Sequence, residues 1–206
     1  IVEGVDKLNP TDHEIIGDRI AAGTFLAAIL STKGSGIVNG INPEHLPMEL
    51  KKLGEMGAKI DSTETSINIE YRDNLQSIEL STLPFPGIAT DLQPIFGSAL
   101  LLAEGTSILT ENVYDQRFQW IPEVQRMGAN IQTGWQHAMI KGVESLSGAP
   151  VHATDIRTGA SLIIAALQAD GLSTITGIDH INRGYEDIVT SLSSLGSTIE
   201  YNNTNG

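Results

Sequence analysis

The sequence predicts a mixed α/β (α+β) fold, an inside-out α/β barrel in which buried helices are surrounded by amphipathic sheets. Three observations lead there. One stretch occurs in three versions: GDRIAAGTFLAAILSTKG at 17–34, ATDLQPIFGSALLLAEG at 89–105 and ATDIRTGASLIIAALQADG at 153–171. Each carries an Asp near its start (Asp18, Asp91, Asp155), runs through small and apolar residues, and closes on a Gly. Each is followed by a second helical stretch with a shared ending, LKKLGEMGAKI (50–60), VQRMGANI (124–131) and LSSLGSTI (192–199), so that Gly57, Gly128 and Gly196 recur at intervals of about seventy residues. Finally, the first helix of a unit lacks a polar face while the strands alternate. A helix apolar all round belongs inside, and a strand with one polar side faces water on that side.

Three β-α-β-α-β units follow from this period, 1–61, 66–132 and 138–201, forming one domain because a single unit cannot bury its own apolar face. The opening IVEGV matches IKGV at 140–143 and is expected to be strand-like. The first helix starts at Asp18 and carries Ile20, Phe25, Leu26, Ile29 and Leu30; its counterpart at 158–169 carries Leu162, Ile163, Ile164 and Leu167. The second helices are one-sided: Ile188, Leu192 and Leu195 fall at i, i+4 and i+7. Gly57, Gly128 and Gly196 follow the last helical turn, where a left-handed stop needs no Cβ. In SINIEY (66–71), Ile67, Ile69 and Tyr71 share one face. Trp120 and Trp135 are expected to pack, and the polar tail at 202–206 to fray.

Composition narrows the function. The net charge of −13 over 206 residues argues against nucleic acid or an anionic membrane as partner, since both require basic surface. With no cysteine, the chain has no disulfide, thiolate metal site or Cys nucleophile of its own, and it suits a reducing cytoplasm. No apolar run approaches the length of a membrane helix. The five histidines are scattered without metal-ligand spacing.

Asp91 and Asp155 stand before buried helices, where a carboxylate can cap free N–H groups or accept a proton or a hydroxyl bond. Arg157, two residues on from Asp155, opposes the helix dipole; it pairs with Asp155 or serves a site. Arg117 in ENVYDQRF and Arg183 in HINRGYE occupy matched corners of units two and three. A guanidinium binds phosphate or carboxylate with two parallel bonds, so these arginines could converge on one anion, and Gly184 would let the backbone approach closely. Alone, these residues define a repeat domain with an anion site and leave the chemistry open.

ATDLQ (89–93), ENVYDQRF (111–118), PEVQRMGA (122–129), KGVESLSGAPVHATDIR (141–157) and HINRGYE (180–186), in this order, closely resemble the UDP-N-acetylglucosamine 1-carboxyvinyltransferase family of enolpyruvyl transferases. The resemblance runs essentially end to end, DRIAAGTFL (18–26) included, and places the chain as the C-terminal half. It implies enolpyruvate transfer from phosphoenolpyruvate to the 3-hydroxyl of UDP-N-acetylglucosamine with release of phosphate, the first committed step of peptidoglycan synthesis, without metal or organic cofactor. It also implies roles. Asp91 resembles the carboxylate that binds the sugar hydroxyl, and Val113 a backbone contact to the nucleotide sugar. Arg117 resembles a cleft-lining arginine, Asp155 and Arg157 a pair near the reacting centre, and Arg183 the arginine that clamps phosphoenolpyruvate. The family's proton donor, a Cys or Asp, lies with a Lys and further arginines on the other, N-terminal domain, which is not in this chain. The chain alone is therefore expected not to turn over, and its exposed interdomain face to promote self-association. Rival readings are another acceptor, such as shikimate 3-phosphate or a nucleotide, or a non-catalytic half-domain that binds a nucleotide sugar.

Overall fold

The computed structural model describes residues 1–202. Three buried helices form the centre: α1 (Arg19–Ser31), α3 (Gln93–Ala99) and α5 (Ile156–Gln168), which pack on one another. Every residue of α3 is buried, and so are Leu26, Ala27 and Leu30 of α1 and Leu162, Ile164 and Ala165 of α5. Between these helices, in chain order, come β1 (Ser35–Asn39), α2 (Pro47–Glu55), β2 (Ala58–Ser62), β3 (Ser66–Tyr71) and β4 (Glu79–Ser81), then β5 (Thr106–Thr110), α4 (Ile121–Arg126), β6 (Asn130–Gly134), β7 (His137–Lys141), β8 (Leu146–Ser147) and β9 (Pro150–His152). After α5 follow β10 (Ala169–Asp170), β11 (Thr174–Thr176), α6 (Ile178–Asn182) and α7 (Ile188–Ser194).

The sheets lie outside the helices. β1, β3 and β2 form an antiparallel sheet with β3 in the middle. The second sheet runs β4-β5-β7-β6, with β4 parallel to β5 and the rest antiparallel. β9 pairs with β11, and β8 with β10, both in parallel. Each of these two sheets thus takes an interior strand, β3 or β7, from the start of the following sequence unit. The alternation in these strands is the reason they cover a core from outside: in β7, Ala138 and Ile140 are buried while His137, Met139 and Lys141 are exposed.

The fold class read from the repeats is the one found, with local differences. Residues 1–5 form no strand and are exposed; β7, which holds the matching IKGV, is gripped on both sides by β5 and β6, and 1–5 has no such flanking strands among the described residues. Residues 197–202 likewise form no strand. Leu195 falls just past the end of α7 and is 54% exposed, so only Ile188 and Leu192 of the predicted stripe reach the core. The three repeat glycines do adopt the left-handed stop, with φ of 109°, 100° and 96°. Trp120 is fully buried, but Trp135 is fully exposed; it sits at the tip of the β6–β7 hairpin with φ of 52°, a turn position beyond the reach of the core. The fraying expected of the tail, for 203–206, lies outside the described residues. Among the described residues no helix is long and apolar enough to cross a membrane.

Candidate functional site

The three helix-leading aspartates divide into two kinds. Asp18 accepts from the Ile20 N–H at 2.8 Å, and Asp155 from the N–H groups of Arg157 and Thr158 at 2.8 and 3.1 Å. Both are N-caps, satisfying donors that the first helical turn leaves free. Asp91 caps nothing. It lies in a 3-10 turn (Thr90–Leu92) that leads into α3, and both of its oxygens are turned to arginines. Oδ1 accepts from Nη2 of Arg117 at 2.9 Å and Oδ2 from Nη2 of Arg157 at 2.9 Å. Arg117 also donates its Nε–H to the Thr90 hydroxyl at 3.1 Å and lies 4.7 Å from the centre of the Tyr114 ring. Asp91 is about one-third exposed and the two arginines are less so.

This arrangement settles where Arg157 goes. A cation in the first turn of α5 is unfavourable against the helix dipole, and the Asp91 carboxylate offsets it. Arg157 offers Asp155 its backbone N–H and gives its guanidinium to Asp91 instead. Arg117 and Arg157 converge on the Asp91 carboxylate. The packing of α3 against α5 sets Asp91 beside Arg157, whereas Arg183 closes the short α6, is exposed, and makes no ion pair among the described residues. Gly184 packs against α5, where a Cβ would stand 2.4 Å from Ile156 Cγ2. Tyr185, buried beside it, bonds Thr24 of α1 at 2.8 Å and so ties the third unit to the first. Burial pushes its phenol above the ordinary value, against the opposing pull of Thr24 and Arg157.

Beside the clamped carboxylate is a cavity of about 210 Å³ lined by Pro94, Tyr114, Gln116, Arg117, Gln119, Asp155 and Thr158. Its walls are mainly polar, so it suits a charged or hydroxylated ligand rather than an apolar one. Val113 lies at the start of the loop that carries Tyr114 and Arg117. It is half-exposed, and its N–H is already taken by the Glu111 carboxylate at 2.9 Å, so what it can offer a ligand is its carbonyl. Glu111 and Thr82, both fully buried, and Thr90 are the site residues that sequence reading passed over.

The carboxyl of Asp155 is held below the ordinary range. Burial works against its charge, but bonds from the Thr158 hydroxyl and N–H and the Arg157 N–H, with the nearby Arg117 guanidinium, outweigh it. A carboxyl whose value is lowered by folding stabilises the fold fully above its unfolded value, 3.8, and loses that contribution as pH falls below it. The wild-type chain is therefore expected to exceed Asp155→Asn in urea midpoint by a constant margin above about pH 5, with the margin narrowing toward about pH 3. Urea titrations at four pH values check this; a margin unchanged down to the acid end would remove the charge from the account.

A family profile described as EPSP synthase (3-phosphoshikimate 1-carboxyvinyltransferase) matches residues 1–192. The chain is 45% identical over 201 residues to the UDP-N-acetylglucosamine 1-carboxyvinyltransferase of Thermotoga maritima, covering 98% of this chain and 48% of that protein. It is 43% identical over 199 residues to the protein of the same name from Mycobacterium tuberculosis, covering 97% and 48%. Among solved structures, the enolpyruvyl transferase NikO from Streptomyces tendae aligns with a TM-score of 0.80 at 26% identity, over 90% of this chain and 44% of that one. An EPSP synthase from Acinetobacter baumannii aligns at 0.75 and 21% identity, over 90% and 47%, a likeness of fold alone. The chain spans about half the length of the curated relatives it matches. With helices inside, sheets outside and this profile running through nearly all of it, the chain belongs to the EPSP synthase (3-phosphoshikimate 1-carboxyvinyltransferase) family of enolpyruvyl transferases.

Proposed function

We propose that this chain forms half of a UDP-N-acetylglucosamine 1-carboxyvinyltransferase, acting in the cytoplasm at the first committed step of peptidoglycan synthesis. The observation that carries the reading is the Asp91 carboxylate held between Arg117 and Arg157 at the edge of a polar cavity. The identity to proteins of that name supports the acceptor, and exceeds the identity to the aligned EPSP synthases. In the net reaction, O3 of the sugar bonds to C2 of phosphoenolpyruvate, the C2–O bond to phosphate breaks, and the hydroxyl proton ends on the released phosphate. A weakly acidic hydroxyl calls for a carboxylate acceptor, which Asp91 supplies. The phosphate and carboxylate of phosphoenolpyruvate call for guanidinium groups, supplied by Arg117, Arg157 and, from the exposed end of α6, Arg183. Asp155 sets the first turn of α5 and with it Arg157; Val113 offers its carbonyl to the nucleotide sugar. No metal or organic cofactor has a part in this scheme. The partners are the two substrates and the other half of the enzyme, and the face that meets that half is open to self-association.

Phosphate release tests this. The chain alone, given both substrates, is expected to release none above background. Joined to the other half it should turn over with UDP-N-acetylglucosamine, lose turnover on Arg183→Ala, and reject shikimate 3-phosphate. Turnover with shikimate 3-phosphate and not with the nucleotide sugar would overturn the assignment of acceptor.

A further inference from the structure

The loop that carries Val113, Tyr114 and Arg117 is fastened to a carboxylate that never reaches the cavity. Glu111 follows β5 and is fully buried. Its Oε1 accepts three bonds: from the Thr82 hydroxyl at 2.7 Å, the Val113 N–H at 2.9 Å and the Tyr114 N–H at 3.0 Å. Thr82 in turn accepts the Asn112 N–H at its hydroxyl at 2.9 Å, and the Asn112 side-chain amide at its carbonyl at 3.1 Å. From Tyr114 the connection continues to the site: its carbonyl accepts the Arg117 N–H at 3.0 Å, its ring lies under the Arg117 guanidinium, and that guanidinium holds Asp91. Thr82 follows β4 and begins the segment that leads to Asp91, while Glu111 follows β5 and begins the segment that leads to Arg117. Their bond therefore ties together the roots of both partners of the Asp91–Arg117 pair.

We propose that Glu111 is a positioning residue: through Thr82, Val113 and Tyr114 it sets the loop so that the Val113 carbonyl and the Arg117 guanidinium face the nucleotide sugar. This rests on the functional reading above, and deepens it. An acceptor-only group fits because all three of its neighbours are donors. All three donors converge on Oε1, while Oε2 is buried without a partner among the described residues, so a carboxyl here carries a burial cost that its bonds to the loop only partly offset. A purely structural need at a buried position would be filled more cheaply by an apolar side chain.

Two measurements test it. By amide hydrogen exchange on the 206-residue chain, Glu111→Ala is expected to speed exchange at Val113 and Tyr114 by about tenfold or more while the core amides of α5 keep their protection. Thr82→Val, close in size and so less prone to unfold, should do the same at Asn112, Val113 and Tyr114, and Glu111→Gln, which keeps an acceptor oxygen, should fall between wild type and alanine. In the chain joined to its other half, Glu111→Ala should raise KM for UDP-N-acetylglucosamine about tenfold with kcat within about threefold, and Glu111→Gln should recover part of it. Unchanged exchange at Val113 and Tyr114 in both Glu111→Ala and Thr82→Val would overturn the proposal, as would a loss confined to kcat. If the exchange pattern holds but the wild-type enzyme does not use the nucleotide sugar, the functional reading fails and the loop-setting role of Glu111 stands.

Discussion

Asp91→Asn is expected to lower enolpyruvyl transfer by about 10²–10⁴-fold in the complete enzyme, the range typical of a positioned acid–base group. The geometry gives the variant two opposite effects, which makes it diagnostic. An amide at this position can still accept one bond from Arg117 or Arg157, so the local fold survives; Asp91 is a third exposed, and the loss of its charge is expected to cost no more than about 1–2 kcal/mol of stability. The amide cannot take the hydroxyl proton, so the reaction is lost. At the same time the anion that neutralises two neighbouring guanidiniums is gone. Arg117 and Arg157 are then uncompensated, and inorganic phosphate is expected to bind more tightly than to wild type. Initial-rate phosphate release and a calorimetric phosphate titration check both arms. Transfer within threefold of wild type would show that Asp91 is only a structural counter-ion. Loss of transfer together with weaker phosphate binding would show that the variant had damaged the site as a whole.

How far the site could be read from sequence depended on the separation of its parts. The capping by Asp155 was legible because donor and acceptor are two or three residues apart and the helix start fixes their geometry, and Asp18 caps α1 by the same short-range geometry. The role of Asp91 was not, because its partners lie 26 and 66 residues away, and only the packing of α3 on α5 brings them together. By spacing, Asp91 looked like its repeat mates; in space it is the exception. The same limit applies to the arginines: matched repeat positions put Arg117 and Arg183 at matched corners, while the link from Arg117 to Arg157 through Asp91 is a tertiary fact. Glu111 was passed over for a different reason. Acidic residues are rarely fully buried without partners, and the donors that allow it come from Thr82 and from loop amides with no sequence signature. The helices and alternating strands were the most legible part, since 3.6- and 2-residue periods register burial directly; the strand foreseen at 1–5 failed because a strand needs neighbours as well as a pattern.

The other large effect is expected in the core beneath the site. Trp120 is fully buried and closes the 3-10 turn Arg117–Trp120, so the residue that holds Asp91 and the residue that anchors the turn sit at its two ends. Its ring fits against Gly97 of α3 so closely that a Cβ there would lie 2.5 Å from two ring atoms, and its indole N–H donates to Gln93 Oε1 at 3.2 Å. Gly97 and Trp120 are thus complementary: α3 has no side chain at the point where the ring enters. Trp120→Ala removes the ring and leaves both a cavity and the buried Gln93 oxygen without its donor. Large-to-small changes of this kind cost about 3–5 kcal/mol, or roughly 10 °C in melting temperature for a chain of this length. Trp120→Phe keeps most of the apolar contact and loses only the donor, and should cost about 1–2 kcal/mol. Gly97→Ala approaches the same contact from the other side and should destabilise by about 1–3 kcal/mol. Trp135→Ala is the control: that ring is fully exposed on its hairpin, and its loss should fall within about 0.5 kcal/mol of wild type. Urea unfolding of the four variants gives the order directly. If Trp120→Ala cost no more than Trp135→Ala, the ring would not be the wedge between α3 and the Arg117 turn. If the expected order holds, the Arg117 turn takes its rigidity from a core contact rather than from the ion pair it makes, and melting of that core should release Arg117 and Asp91 together.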